Sequence, residues 1–291
     1  MNYNSISELR SFLDKNGLGM RKKYGQNFLI HPGTRQALVD ALKAPQGETV
    51  WEIGSGLGTM TSLLLERGLE VRAFEIDSGF ARLLREMFSA YADFTLVEGD
   101  VLKTWPGQPP APYLLGNLPY NIAATLLANL IEQRRFFKRM VVTVQREVAR
   151  RMAAVPGSSD YSSFSVLCAS AYRVQPLMVI KSTSFYPRPK VDSQGVLLEL
   201  REDAAARAAP KLLYPLLRQL FSSRRKTIKN NLAGFFMGIG DWGLGTVDRK
   251  AMCSSKAEES LARCGIDGGR RAEELAFDDF VALANIIDDM R

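Results

Sequence analysis

Asn117-Leu118-Pro119-Tyr120 carries the residue types best suited to chemistry in this chain, and it follows a short apolar segment, Tyr113 to Gly116. The Asn117 side-chain oxygen and the Leu118 backbone carbonyl are two neighbouring acceptors. Such a pair can bind both protons of an exocyclic adenine amine. That nitrogen is a poor nucleophile because its lone pair is delocalised into the ring; two acceptors favour a pyramidal nitrogen and aim the lone pair at an electrophilic methyl group. Tyr120 offers a face to a base that has left its own stack. Taken alone, the same four residues would form a proline turn over a buried tyrosine; the sequence upstream decides against that. No cysteine stands beside a proline here, which leaves cytosine-C5 methylation without its covalent nucleophile.

Upstream, Trp51-Glu52-Ile53-Gly54-Ser55-Gly56-Leu57-Gly58-Thr59 sets three glycines directly after an apolar segment. A backbone without Cβ can turn tightly there and let a ligand approach closely. The spacing is G-x-G-x-G. Met60 and Thr61 stand where the dinucleotide fingerprint would place its last glycine, so a nicotinamide cofactor is disfavoured. Glu75 lies 21 residues beyond Gly54, at the end of the next apolar segment, where a carboxylate can accept both hydroxyls of a ribose. Asp100 ends the segment after that and can accept from an adenine amine, with Ile76 and Val101 as apolar walls for the ring. Gly54, Gly56, Gly58, Glu75, Ile76, Asp100 and Val101 thus outline a site for S-adenosylmethionine at successive strand ends.

These residues need a sheet to position them. Thr49 to Ile53, Glu70 to Phe74, Phe94 to Val97 and Tyr113 to Gly116 are short apolar segments, each followed by a helix-like stretch, and that alternation predicts a parallel sheet. Met140 to Val144, Tyr172 to Ile180 and Gly195 to Leu200 bring the strand count to seven, with Pro187 and Pro189 holding open the stretch before the last. Beyond Arg201 the β-branched runs stop. Glu202 to Pro210 is Ala-rich and charged, and helical spacing then dominates through Leu212, Leu216, Leu217, Leu220 and Phe221, and again from Phe277 to Ile287. Ser5 and Glu8 fit the capping box of a short N-terminal helix. The expected fold is therefore α/β: a Rossmann-like, seven-stranded class I methyltransferase sheet over residues 1–201, with a smaller all-helical domain over 202–291.

Composition narrows the partners. The 38 Lys and Arg outnumber 31 Asp and Glu, for a net charge of +7, which favours a polyanion. The cations cluster at Arg21, Lys22 and Lys23; at Arg134, Arg135, Lys138, Arg139, Arg146, Arg150 and Arg151; and at Arg224, Arg225, Lys226 and Lys229. If the last four share a helix, Arg225, Lys226 and Lys229 would lie on one face, able to track phosphates. Cys168, Cys253 and Cys264 form no C-x-x-C pair and His31 is the only imidazole, so neither a zinc site nor a disulfide is expected, and His31 reads as a structural residue. The sequence shows no secretory signal and no apolar run of the ~20 residues that span a bilayer, so a cytoplasmic protein is expected, and a monomer is the default expectation.

In family order, Lys23-Tyr24-Gly25-Gln26-Asn27-Phe28-Leu29, EIGSGLG, FEID, EGDVL and GNLPYNIA resemble the small-subunit ribosomal RNA adenine N6,N6-dimethyltransferases. SFYPRPKVDS at 184–193, FSSRRKTIKNNL at 221–232 and RRAEELAFDDFVALAN at 270–285 extend the likeness over nearly the whole chain. The resemblance implies methylation of two neighbouring adenines near the rRNA 3′ end, twice on each, during ribosome assembly. It implies cofactor contacts from Asn27, Leu29, Gly54, Glu75, Asp100 and Asn117, with Gln26 beside the methionine end, and it implies that Phe185 stacks on the target base opposite Tyr120. Ser55 and Arg188 depart from that family, each standing where proline is usual. Two alternatives stay open: a large-subunit rRNA adenine dimethylase of the antibiotic-resistance type, against which the RRKT and RRAEEL segments count, and an rRNA-binding assembly factor that retains the fold without the reaction.

Overall fold

The computed structural model describes residues 5–21, 24–202, 212–239 and 246–290. Lys22 and Lys23 of the first basic cluster, and 203–210 of the Ala-rich stretch, lie outside the described residues. The elements run α1 (Ile6–Lys15), β1 (Phe28–Leu29), α2 (Pro32–Leu42), β2 (Thr49–Ile53), α3 (Thr59–Leu65), β3 (Glu70–Glu75), α4 (Ser78–Met87), β4 (Phe94–Glu98), α5 (Val101–Thr104), β5 (Tyr113–Asn117), α6 (Ala123–Glu132) and β6 (Arg139–Gln145). They continue α7 (Arg146–Met152), α8 (Ser163–Ala171), β7 (Tyr172–Ile180), β8 (Phe185–Tyr186), β9 (Ser193–Leu200), α9 (Leu213–Leu220), α10 (Ile228–Ile239), α11 (Thr246–Arg263) and α12 (Phe277–Asp289).

The seven expected strands form one sheet in the order β4-β3-β2-β5-β6-β9-β7. From β4 to β6 the neighbours are parallel, and β9 runs antiparallel to both β6 and β7. Position in this order explains burial. Central β2, TVWEI, is buried along nearly its whole length, as a strand covered on both faces must be. At the edge, β7 is largely exposed and carries Pro176 beside a register shift, both of which discourage further pairing. Chain order reverses between β2 and β5, which directs helices to opposite faces and leaves a crevice at the strands' carboxyl ends.

One face of the sheet packs Leu38, Val39 and Leu42 of α2, Leu64 of α3 and Leu84 of α4 against Val50, Val71, Leu115 and Val141. Elsewhere Trp51 meets Phe74 and Phe137 with ring centroids 4.9 and 5.3 Å apart. Ser5 Oγ accepts from the Glu8 N–H at 3.3 Å and starts α1 where the sequence placed it. His31 caps α2: its Nδ1 accepts from the Thr34 N–H at 3.2 Å, a structural duty.

The division into compact units differs from a single cut after residue 201. One unit comprises Met1–Arg150 with Tyr172–Arg201; the other takes Arg151–Ala171 as well as Glu202–Arg291. The segment 151–171 joins the helical unit because its apolar side chains complete that unit's core. Tyr161 and Val166 pack with Leu216 and Leu220 of α9, Ile228 and Phe236 of α10, Leu261 of α11 and Phe280 and Ile287 of α12. The Tyr161 hydroxyl also donates to the Leu275 carbonyl at 3.0 Å. No local periodicity announces such an excursion. Among the described residues no helix is long and apolar enough to cross a membrane.

Candidate active site

A cavity of about 260 Å³ opens at the carboxyl ends of β2, β3 and β5. Gly54 and Gly56, at φ +76° and +52°, turn the chain away from β2 in a conformation L-residues rarely adopt. The loop is drawn against β3 by hydrogen bonds: Gly54 N donates to Phe74 O at 2.9 Å, and Gly56 N to Glu75 Oε2 at 2.8 Å. Asp77 N donates to the other Glu75 oxygen at 2.8 Å, so each oxygen holds one backbone N–H and retains acceptor capacity toward the cavity it lines. Burial pushes Glu75 up to about 6, while the Asp77 and Gly56 N–H groups pull it down.

Asp100 caps the short helix after β4. Its Oδ1 accepts from Leu102 N at 3.0 Å, its second oxygen is free for a ligand, and Ile76 and Val101 line the cavity with it. This set of acceptors and walls fits an adenosine-bearing cofactor: a carboxylate for the ribose diol, a second for the ring amine, and apolar walls for the ring.

Asn117 ends β5. Its Nδ2 donates to the Asn27 carbonyl at 2.6 Å, and Asn27 is itself fixed by an Nδ2 bond to Gly25 O at 3.0 Å. With its amino group committed, Asn117 is left with its oxygen as an acceptor. Leu118 N donates to Thr143 O at 3.1 Å, which sets the orientation of the adjoining peptide. Tyr120 is half-buried and its hydroxyl shares a 2.6 Å hydrogen bond with Ser193 Oγ at the start of β9, so the ring is tethered at its far end. Burial raises the Tyr120 pKa above its ordinary value, so the phenol stays neutral.

The cavity thus gathers Gln26, Asn27, Gly54, Gly56, Glu75, Ile76, Asp100, Val101, Asn117, Leu118, Pro119 and Tyr120. Three expected residues stand apart. Gly58 caps α3, and a Cβ there would meet the Phe88 ring at 2.6 Å; its missing side chain admits a core aromatic, not a ligand. Leu29 is 2% exposed and pairs with Phe185 in the two-stranded β1–β8 sheet. Phe185, also 2% exposed, packs in the core with Leu38 and Ile180 and does not line the cavity, so the structure does not bring it opposite Tyr120 there.

Sequence reasoning missed the Asn27–Asn117 and Tyr120–Ser193 links, and it missed Glu52. This acid is wholly buried at the foot of the glycine loop, where Thr61 Oγ1 donates to its Oε2 at 2.5 Å and the Ser55 hydroxyl lies close by. Burial pushes Glu52 up to about 7, against the Thr61 and Ser55 hydroxyls that pull it down. Its signal was present, a carboxylate inside a buried strand, but it points at α3 and does not line the cavity.

The basic clusters are less uniform than expected. Arg146 and Arg150 are exposed one turn apart on α7, while Arg151 is partly buried with its guanidinium 5.9 Å from the Phe164 ring centroid. Arg224, Arg225 and Lys226 lie in a turn before α10, so they do not share a helix face with Lys229. Arg224 is paired with Glu273 at 2.8 Å and Lys229 with Glu258. Arg225 and Lys226 are exposed.

The sheet order, the glycine loop and the acids at the strand ends define a class I methyltransferase whose cofactor is S-adenosylmethionine. Beyond that class, the chain belongs to the ribosomal RNA adenine dimethylase family, whose profile matches residues 17–288. The ribosomal RNA small subunit methyltransferase A of Treponema denticola is 43% identical over 98% of this chain and 96% of its own length. The Bacillus pumilus protein of the same name is 33% identical over 96% and 94%. Among solved structures, a dimethyladenosine transferase from Plasmodium falciparum superposes with a TM-score of 0.72 at 27% identity, covering 89% of this chain and 96% of that one. The 23S rRNA methyltransferase ErmE, at 22% identity and a TM-score of 0.61 over 90% of this chain and 99% of that one, shares the fold.

Proposed function

We propose that this enzyme methylates N6 of two adjacent adenosines near the 3′ end of small-subunit rRNA, twice on each, during ribosome assembly. The observation that carries the reaction is the Asn117 amide, whose amino group is held by the Asn27 carbonyl so that its oxygen is the group left to accept. S-adenosylmethionine supplies an electrophilic methyl group on a sulfonium sulfur. Asn117 Oδ1 and the Leu118 carbonyl would bind the amine protons and turn the nitrogen lone pair out of the ring plane. Tyr120 would support the base on its ring face, the hydroxyl being already anchored by Ser193. Glu75 and Asp100 would hold the adenosine of the cofactor, and Gln26 and Asn27 its methionine end. The choice of subunit rests on the relatives named above and on the RRKT and RRAEEL segments of the helical unit. Arg146, Arg150, Arg225 and Lys226 are the exposed cations best placed to meet RNA phosphates.

The test is incubation with labelled cofactor and undermethylated small and large subunits, followed by nucleoside analysis. Dimethyladenosine in the small subunit alone is the expected result. Label confined to the large subunit, or no label in either, overturns the proposal.

A further inference from the structure

The loop between β7 and β9 carries one of the two departures from the family pattern, Arg188, and this arginine is held in place. Its Nε donates to Ser182 Oγ at 3.0 Å, and Ser182 is itself buried. Ser182 N donates in turn to Asp192 Oδ1 at 2.9 Å, while Lys181 Nζ reaches Asp192 Oδ2 at 3.3 Å. Asp192 therefore clasps the two ends of the loop. Ser193, the next residue, carries the 2.6 Å bond to the Tyr120 hydroxyl. A short run of hydrogen bonds and one peptide link thus joins Arg188 to the ring expected to support the target base.

The charge around this clasp is one-sided. Arg146, whose backbone N–H donates to Asp192 O at 3.3 Å, adds a cation from the start of α7. Arg146, Arg188 and Lys190 are exposed, and none has an ion pair among the described residues. Asp192 pairs with Lys181 and also acts electrostatically on Arg146, so one carboxylate stands against four cations and leaves a net positive charge at Arg188 and Lys190. With Nε committed to Ser182, Arg188 keeps both terminal amino groups for a fork onto two oxygens of one anion, a geometry that favours phosphate and is pre-organised before binding.

We infer that Arg188, with Arg146 and Lys190 beside it, is a phosphate anchor that grips the RNA backbone next to the adenosine presented at Tyr120. This rests on the rRNA reading above and deepens it: the enzyme holds the chain adjoining its target base within the catalytic unit itself, separately from Arg225 and Lys226.

The test compares wild type with Arg188→Ala, Arg188→Lys and Ser182→Ala, measuring binding to undermethylated small subunits across a salt series alongside methylation kinetics. Losing one forked phosphate contact should weaken binding and raise KM about tenfold in Arg188→Ala, with kcat little changed. The slope of log K against log salt should flatten by about 1. Arg188→Lys should keep the slope while recovering only part of the affinity, because a point charge replaces a fork. Ser182→Ala should weaken binding without flattening the slope, since the charge stays and only its orientation is lost. Wild-type binding and slope in Arg188→Ala overturn the inference, as does a fall in kcat with binding unchanged, which would make the loop a support for Tyr120 alone. A wild-type enzyme that binds the particle yet leaves no methyl group on it would sink the rRNA reading, while the salt slopes would still decide the anchor.

Discussion

The cofactor side of the cavity is built from residues that end strands of one parallel sheet, whereas the base side is built from residues tied to partners far along the chain. Gly54, Glu75 and Asp100 lie at or just past the ends of β2, β3 and β4, and the sheet alone brings them together. Asn117 and Tyr120 also follow a strand, but their side chains are oriented by Asn27, 90 positions away, and Ser193, 73 positions away. Sheet topology places a functional group to within a residue; distant hydrogen bonds then decide which of its atoms faces the substrate.

The sharpest challenge to that division is Phe185, expected on the base side and found in the core. Phe185→Ala should cost about 3 to 5 kcal/mol of stability, as truncation of a buried aromatic does, read by denaturant unfolding. Phe185→Leu should cost less than about 1.5 kcal/mol and keep normal turnover. Lost turnover in a stable Leu variant would return Phe185 to the base side. Next in size, Asn117→Ala should lower kcat at least ~100-fold with the fold intact, since it removes an acceptor aimed at the reacting amine. Near-normal kcat would mean that the Leu118 carbonyl suffices.

Two acids flank the glycine loop, Glu75 lining the cavity and Glu52 buried behind it. Glu52 has its pKa raised from 4.5 to about 7 on folding. A raised carboxylate pKa favours the folded state fully below 4.5, and that contribution is lost as pH rises through about 7. Above that, wild type carries a buried charge costing roughly 3 kcal/mol that Glu52→Gln lacks. The Gln variant should therefore melt higher than wild type at about pH 8 and nearly level with it at about pH 5; a uniform loss would show that the carboxylate is needed in its charged form. Glu75→Ala should weaken S-adenosylmethionine binding ~10- to 100-fold by calorimetry. In wild type the affinity should fall as pH drops through about 6, where Glu75 takes up a proton. An unchanged dissociation constant would remove Glu75 from the ribose site.

This contrast also explains what could be read from the sequence. Apolar segments of strand length, the first three closed by a glycine or an acid, made the sheet and the cofactor side legible, because both follow from local pattern and strand order. Whether Arg225 and Lys226 share a helix with Lys229 stays open in the sequence, because four closely spaced cations fit a helix and a turn alike. In the fold, α10 starts at Ile228, and the Asn231 amide donates to Leu220 O and Ser223 O, at 2.9 and 3.1 Å, holding the turn ahead of it. Phe185 was placed on the base side by resemblance alone; no local pattern shows that β8 pairs with β1 and that the side chain packs in the core.

The smallest effect tests whether a distant hydrogen bond matters on the base side. Ser193 is wholly buried, and its hydroxyl bonds the Tyr120 hydroxyl at 2.6 Å. Ser193→Ala removes that bond while leaving the phenol beside solvent, so the loss should be that of one neutral hydrogen bond, about 0.5 to 1.5 kcal/mol, or roughly two- to tenfold in kcat/KM. Tyr120→Phe removes the same bond from the other end, so the two losses should match and the double variant should lose no more than either alone. Additive losses would show that each hydroxyl acts separately, Tyr120 on the base and Ser193 on the loop. S-adenosylmethionine binding should stay unchanged in all three variants, because neither hydroxyl touches the cofactor side. If affinity for the cofactor falls with kcat/KM, the two sides of the cavity are mechanically coupled and the division between them fails.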